Sequence, residues 1–217
     1  MKQYQTYVCH KCGNEVEVQK VGGGKLVCCG HEMECVTSNL TAVNLMKAFA
    51  GESQARNKYE FFADIARKEG YHDIAEHFQR AANNEKHHAK MEFALCHKMV
   101  DGAEFGDTIA NLKAARDGES YENITMYPDF AAIAKEEGFN EAVALFKGIG
   151  KIEVEHENMY KELLHRLEHG AEFLSENYDE EWICEVCGHI HRGKKPPKAC
   201  PVCKHEEEYF SRLNSKK

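Results

Sequence analysis

One stretch of this chain is written twice, 68 positions apart. Phe62-Ala63-Asp64-Ile65-Ala66-Arg67-Lys68-Glu69-Gly70-Tyr71 aligns with Phe130-Ala131-Ala132-Ile133-Ala134-Lys135-Glu136-Glu137-Gly138-Phe139. The match continues through Phe78 and Phe146, Glu85 and Glu153, and His88 and His156. The flanking segments are rich in Ala, Glu, Lys and Leu, a helix-favouring composition. A helical hairpin used twice gives a four-helix bundle with a pseudo-twofold axis. Four helices are predicted. The first covers about Thr41 to Glu69, with Ser38 or Asn39 as cap and Gly70 as stop. The second covers about Asp73 to Met99 and stops near Gly102. The third starts near Asp107, with Pro128 marking a kink or break in it. The fourth covers about Asn140 to His169. The link from the second to the third reads equally as a tight turn or an extended crossover.

The repeat carries chemistry. Glu85-x-x-His88 and Glu153-x-x-His156 each put a carboxylate and an imidazole three residues apart, neighbours on one helix face. The other two helices each offer a glutamate after a glycine, Gly51-Glu52 and Gly118-Glu119. Glu52 lies 18 residues before Gly70 and Glu85 lies 15 after it; Glu119 lies 19 before Gly138 and Glu153 lies 15 after it. With a rise of about 1.5 Å per residue, both pairs come level near mid-bundle. One Glu from each of two helices and Glu-x-x-His from each of the other two is the ligand set of ferritin-like di-iron carboxylate proteins. A single Glu-x-x-His is usually a solvated face, whereas two at matching depth with two matching glutamates point to metal. Carboxylates and imidazoles with few thiolates suit Fe, Mn or Zn, and bridging carboxylates offset cation charge that is costly to bury. Glu122, three residues after Glu119, reads as an extra or exchangeable ligand or as a solvated neighbour. Tyr59, seven residues after Glu52, and Tyr127, just before Pro128, either hydrogen-bond a ligand carboxylate or pack in the core.

Nine of the ten cysteines lie at the two ends of the chain. Cys184-x-x-Cys187 with Cys200-x-x-Cys203 is the spacing of a four-thiolate tetrahedral site, for iron or for a structural zinc. Trp182 is placed to shelter it. Cys9-x-x-Cys12 with Cys28-Cys29 is a second quartet with the same two metal readings. Its adjacent cysteines have Cα atoms about 3.8 Å apart, so local geometry must be constrained if both bind one ion. Cys35 and Cys96 lack partners at metal spacing and read as buried free thiols. The first segment, rich in Gly and Val, reads as short strands and turns, and the last is broken by Pro196, Pro197 and Pro201. The expected organisation is a four-cysteine domain over 1–36, a bundle over 37–170 and a second four-cysteine domain over 178–217. The net charge of -8 argues against nucleic acid or an anionic membrane as partner. No apolar run approaches the roughly 20 residues of a membrane helix. The start, Met1-Lys2-Gln3-Tyr4, lacks the apolar stretch of a secretory signal. A cytoplasmic location is therefore expected, where thiols serve as ligands more readily than as disulfides.

With these residues placed, the chain resembles the rubrerythrin family from about Thr37 onward. The resemblance rests on Ala50-Gly51-Glu52-Ser53-Gln54-Ala55-Arg56-Asn57, Asn84-Glu85-Lys86-His87-His88-Ala89-Lys90, Gly118-Glu119-Ser120-Tyr121-Glu122 and Met126-Tyr127-Pro128. The Cys184 to Cys203 segment looks like a rubredoxin-like domain and the first segment is similar to desulforedoxin, which together match the three-domain desulforubrerythrins. The resemblance implies a mainly α fold: a ferritin-like four-helix bundle flanked by two small β-rich four-cysteine iron modules, and it favours an extended crossover between the second and third helices. It implies an oxo- and carboxylate-bridged di-iron cofactor held by Glu52, Glu85, His88, Glu119, Glu122, Glu153 and His156, with the ligand at His88 exchanging for that at Glu122 as redox state changes. It implies mononuclear iron at Cys9, Cys12, Cys28 and Cys29 and at Cys184, Cys187, Cys200 and Cys203. The implied activity is reduction of hydrogen peroxide to water, with electrons from an NAD(P)H-linked reductase or rubredoxin. The implied assembly is a homodimer, or a higher oligomer, in which one chain's rubredoxin-like domain serves the other chain's di-iron site. A ferroxidase or iron-handling protein is the competing reading. Stored iron needs no one-electron relays, which favours the peroxidase. Superoxide reduction is weaker, because a helical carboxylate site lacks the thiolate-histidine iron that chemistry uses.

Overall fold

A computed structural model describes residues 1–102 and 105–213. The chain divides into two units, Met1–Phe105 and Gly106–Lys217. Each contains one four-cysteine module and one helical hairpin. Among the described residues no helix is long and apolar enough to cross a membrane.

The first unit opens with short strands: β1 (Thr6–Val8), β2 (Glu15–Glu17), β3 (Val27–Cys28), β4 (His31–Glu32) and β5 (Glu34–Cys35). β1 is central in an antiparallel sheet of order β2-β1-β5, with Tyr7 opposite Val16 on one side and Cys35 on the other. β3 and β4 form a separate two-stranded ribbon. Strands this short cannot bury a sizeable core, so the metal quartet is the main fastening. The module is tied to the first helix by Lys47, whose Nζ lies 2.9 Å from Glu17 and over the Tyr4 ring.

Helix α1 (Leu40–Lys68) starts at Asn39, whose side chain accepts the Ala42 N–H. It ends at Gly70, which takes a left-handed conformation (φ 85°) that other residues adopt only with strain. Helix α2 (His72–Asp101) returns antiparallel and stops at the left-handed Gly102. The seam is built from small residues. Ala75, Ala82, Ala89 and Cys96 are buried at intervals of seven on α2, against Ala63, Ala66 and Ala42 on α1. A seven-residue repeat keeps one narrow stripe facing a partner helix, and alanine lets the backbones approach closely. Cys96 is a buried free thiol, as expected, whereas Cys35, expected to be buried too, is exposed, because it lies on β5 at the edge of a small sheet.

The second hairpin repeats the plan with one difference. Helix α3 (Thr108–Tyr121), capped by Asp107, passes into a π-helical turn at Glu122–Met126 and resumes as α4 (Tyr127–Glu136). The break expected at Pro128 is thus a widened turn just before it. Pro128 has no N–H, and in a continuous α-helix its ring would press on the carbonyl of Ile124. The wider turn relieves this; the Tyr127 N–H donates to the Glu122 carbonyl, five residues back. Helix α5 (Asn140–Glu168) buries Gly150, Glu157 and Leu164 at the same seven-residue interval. A Cβ on Gly150 would lie 3.3 Å from Cβ of Tyr127, a tight contact, so the close approach of α4 favours glycine there.

The second unit ends in a small antiparallel sheet of β6 (Glu181–Cys184), β7 (Ile190–Arg192) and β8 (Phe210–Arg212), order β7-β6-β8. Trp182 is buried against Cys184, Cys200 and Phe210, with Phe173 and Cys203 alongside, and its indole N–H donates to the Gly193 carbonyl.

Candidate metal centres

The cysteine loops are one local structure used three times. In Cys9–Asn14, Cys184–His189 and Cys200–His205 the first cysteine's N–H donates to the carbonyl five residues on, at 2.7–2.9 Å. Its own carbonyl accepts the N–H four residues on, at 2.8–2.9 Å. The fifth residue of each loop is left-handed: Gly13 (φ 78°), Gly188 (φ 75°) and Lys204 (φ 65°). Such a knuckle turns both sulfurs to one side. Neighbouring sulfurs stand 3.5 Å apart for Cys12 and Cys28, 3.8 Å for Cys28 and Cys29, and 3.6 Å for both Cys184–Cys203 and Cys187–Cys200. A disulfide requires about 2.05 Å. Four thiolates at about 2.3 Å from one tetrahedral ion stand about 3.8 Å apart. Both quartets fit the ion. The constraint anticipated at the adjacent pair falls on Cys29, whose φ of 52° is left-handed.

The thiols are electrostatically unequal. Backbone N–H groups of Cys12 and Lys11 bring Cys9 down to about 7. At Cys200 desolvation pushes upward, but the N–H groups of Cys203 and Val202 and the neighbouring thiols outweigh it, giving about 6. Cys29 is pushed up to about 12, by Cys12 first and then Cys28. One thiol in each quartet, Cys9 in the first and Cys200 in the second, is thus biased toward the thiolate that a metal ion binds.

Each hairpin carries one carboxylate–imidazole triad. Glu52, Glu85 and His88 offer ligand atoms within 4.8 Å of one another, and so do Glu119, Glu153 and His156. The two sets are near copies. His88 Nδ1 is 2.6 Å from Glu85 and 3.9 Å from Glu52; His156 Nδ1 is 2.7 Å from Glu153 and 3.6 Å from Glu119. Glu85 and Glu153 are the more buried carboxylates, each on the helix that also brings the histidine. The pKa of Glu52 is raised, first by the hydrogen bond it shares with Glu85 and then by burial. That of Glu119 is raised, first by burial and then by Glu153. Carboxylates crowded into sharing protons are a donor set for cations, and each triad fits a metal ion.

The remaining expected residues lie around these triads. Glu122 is outside the second set of three, yet its charge helps raise Glu119 and, after burial, Tyr127. Tyr127 packs against Phe146, and Tyr59 packs against Phe62 and Phe78. Two further residues were missed from sequence. Glu157, buried on α5, takes Nδ2 of Asn123 at 3.0 Å and Nζ of Lys161 at 2.7 Å; these contacts, Lys161 first, lower its pKa. It thereby fastens the π-helical turn that carries Glu122. Its signal was the step of four from Glu153 to Glu157 to Lys161. Glu92, seven residues after Glu85, has a buried Oε2 without a hydrogen-bond partner, and its charge also raises Glu52.

Helical hairpins of ferritin-like type, paired Glu/His triads and two cysteine quartets define a non-haem iron protein with a di-iron site and two mononuclear centres. The rubrerythrin family model matches residues 44–164, a rubrerythrin rubredoxin-like domain matches 182–211, and a desulfoferrodoxin N-terminal domain matches 1–36. The chain belongs to the rubrerythrin family, in its three-domain form. It is 43% identical to a rubrerythrin of Porphyromonas gingivalis over 188 residues, 83% of this chain and 93% of that one. It is 42% identical to rubrerythrin-1 of Clostridium acetobutylicum over 193 residues, 84% and 98% of the two chains. A solved structure of partially reduced nigerythrin is similar at 32% identity, covering 82% of this chain and 88% of that one, with a TM-score of 0.31. The family and the iron centres make the chain an oxidoreductase associated with oxidative stress.

Proposed function

We propose that the chain is a hydrogen peroxide reductase, using two electrons and two protons to convert each peroxide into two waters. One observation carries this reading: two equivalent carboxylate–imidazole triads occur in one chain with two four-thiolate centres, which pass electrons singly. Bound iron supplies the pair of electrons that the O–O bond takes up.

The protein's own residues divide the remaining work. Glu85 and Glu153, the least exposed of the carboxylates, would hold the metal from the helices that also bring the histidines. Glu52, Glu119, His88 and His156 are terminal ligands. Glu122, presented by the π-helical turn, would be the exchangeable ligand. Tyr59 and Tyr127 flank the triads, their rings packed on Phe62 and Phe78 and on Phe146. Cys184, Cys187, Cys200 and Cys203 hold the relay that feeds the di-iron site, and Cys9, Cys12, Cys28 and Cys29 hold a second. The donor is an NAD(P)H-linked reductase or a rubredoxin in the cytoplasm. The working unit is a homodimer in which the relay of one chain serves the other.

The test compares two assays on the iron-loaded protein. NAD(P)H consumption with a reductase and peroxide should be fast, and ferrous iron oxidation by dioxygen slow. Rapid ferrous oxidation with iron retained in the protein, and no peroxide-dependent NAD(P)H consumption, would replace this reading with the ferroxidase one.

A further inference from the structure

The two hairpins repeat each other closely, and where they differ one carboxylate is left without a task. Along the repeat, Glu85 and His88 correspond to Glu153 and His156. The residue one turn beyond the histidine is Glu92 in the first hairpin but Tyr160 in the second. Residues four apart on a helix are neighbours on one face. Helical side chains also lean toward the N-terminus, so Glu92 covers the turn that carries His88. The electrostatics agree. The charge of Glu92 is among those that raise the pKa of Glu52, whose carboxylate lies 3.9 Å from His88 Nδ1.

Oε2 of Glu92 is buried and accepts no hydrogen bond. A carboxylate oxygen cut off from water in this way costs stability unless a donor meets it. Glu157 on the second hairpin shows the contrast, since Asn123 and Lys161 already supply its donors. In the absence of metal His88 has a partner in Glu85, at 2.6 Å. Once Glu52, Glu85 and one ring nitrogen serve as ligands, the imidazole loses both carboxylates that faced it and presents an N–H on its other nitrogen. Metal-bound histidines almost always donate that second N–H to a carboxylate, a backbone carbonyl or water.

We infer that Glu92 is the positioning residue for His88: its free oxygen accepts the ring N–H directed away from the metal, fixes the orientation of the imidazole and makes it a stronger ligand. His156 has a phenol, not a carboxylate, at the equivalent place. The two halves of the iron site are therefore unequal, with the more basic imidazole on the first hairpin. The inference rests on His88 as an iron ligand and not on peroxide chemistry.

The test measures ferrous iron binding under anaerobic conditions, by competition with a chelator, in the full-length protein with both cysteine quartets loaded. Glu92→Leu should weaken binding of one ion of the pair by about 10- to 100-fold, the usual cost of losing a ligand's supporting partner. With the pair of ions absent, the same variant should have a Tm at or above that of the wild type, because an unpaired buried oxygen is gone. Glu92→Gln keeps an acceptor without the charge and should recover part of the lost affinity. The deciding measurement is a double-mutant cycle with His88→Ala. If Glu92 acts through His88, adding Glu92→Leu to His88→Ala should cost nothing further. An equal loss in both backgrounds would mean that Glu92 binds iron itself, and no loss in either that it only packs; both results overturn the inference. Wild-type affinity in His88→Ala alone would remove the ligand assignment and this inference with it. A weakened His88→Ala beside an unchanged Glu92→Leu would remove only the role of Glu92. No readout involves turnover, so the peroxidase reading stands or falls separately.

Discussion

Deleting Thr125 tests what the π-helical turn is for. Tyr59 follows Glu52 by seven residues, but Tyr127 follows Glu119 by eight. At about 100° per residue, seven steps fall about 20° short of two turns, whereas eight overshoot by about 80°. With side-chain ends about 6 Å from the axis, a regular helix through 119–127 would turn Glu119 by about 100° from the direction its counterpart Glu52 takes and move its carboxylate about 9 Å, out of reach of His156. The π-helical turn absorbs the extra residue. Removing the exposed Thr125 should restore the spacing of the first hairpin, convert the turn to α-helix and leave Glu119 facing its triad. Glu122 alone should lose its placement. Paired iron should stay near the wild-type amount by absorbance and Mössbauer spectroscopy, while peroxide turnover falls about 10- to 100-fold, the usual cost of losing a ligand's supporting partner. Glu122→Ala should behave alike. The control deletes Asn57 from the regular helix α1. There nothing absorbs the change, Glu52 rotates by about 100° and moves about 9 Å, and paired iron should be lost. If the Thr125 deletion loses iron as completely as the Asn57 deletion, the register argument is wrong.

Other outcomes follow from geometry already described. Lys204→Gly places glycine where the two equivalent knuckles already have it. It should stabilise the rubredoxin-like domain by about 0.5–1 kcal/mol in denaturant titrations followed by the iron–thiolate colour; a loss of stability would contradict this. Gly150→Val drives a branched side chain into Tyr127 and should cost about 1–3 kcal/mol, measured as a lower Tm. In the metal-free protein the raised pKa values of Glu52 and Glu119 mean that the unfolded chain releases these protons first. Apo stability should therefore fall as pH rises from the ordinary value of 4.5 through the raised ones, and iron loading should abolish that fall; a Tm flat across this range would speak against it. Cys200→Ser should leave a single oxidation by peroxide intact but stop repeated cycling, seen as one turnover per reduced site.

Much of this was legible in the sequence because it depends on spacing. The 68-residue repeat, the glycine stops and the Glu-x-x-His pairs specify local geometry, and the helices begin and end within a residue or two of where those signals put them. The cysteine quartets were equally plain, since a two-residue gap between cysteines permits few other structures. What escaped depends on angle or on distant partners. The counts of 18 and 19 residues before the two turns looked equivalent as heights, but they differ by about 100° in direction, and only a widened turn reconciles them. Glu157 lies 34 residues from Asn123, so nothing local marks the pair. Lys204 sits where glycine would be conformationally easier, and the Cys-x-x-Cys spacing gives no warning of that.

The alanine seams have a consequence for the life of the molecule. An alanine side chain removes little apolar area from water, so a hairpin zipped by Ala75, Ala82 and Ala89 gains close contact but only modest burial. Its contacts are local, so it can form early in folding, before distant parts of the chain have met. It then waits with an apolar stripe exposed, a state that aggregates or is degraded. Metal binding favours only the finished form and withdraws chains from that waiting pool by mass action. Iron supply would then govern how many copies survive as well as how many are active. A cell short of iron would clear the unfilled chains, and one regaining iron would rebuild its stock without any change in synthesis.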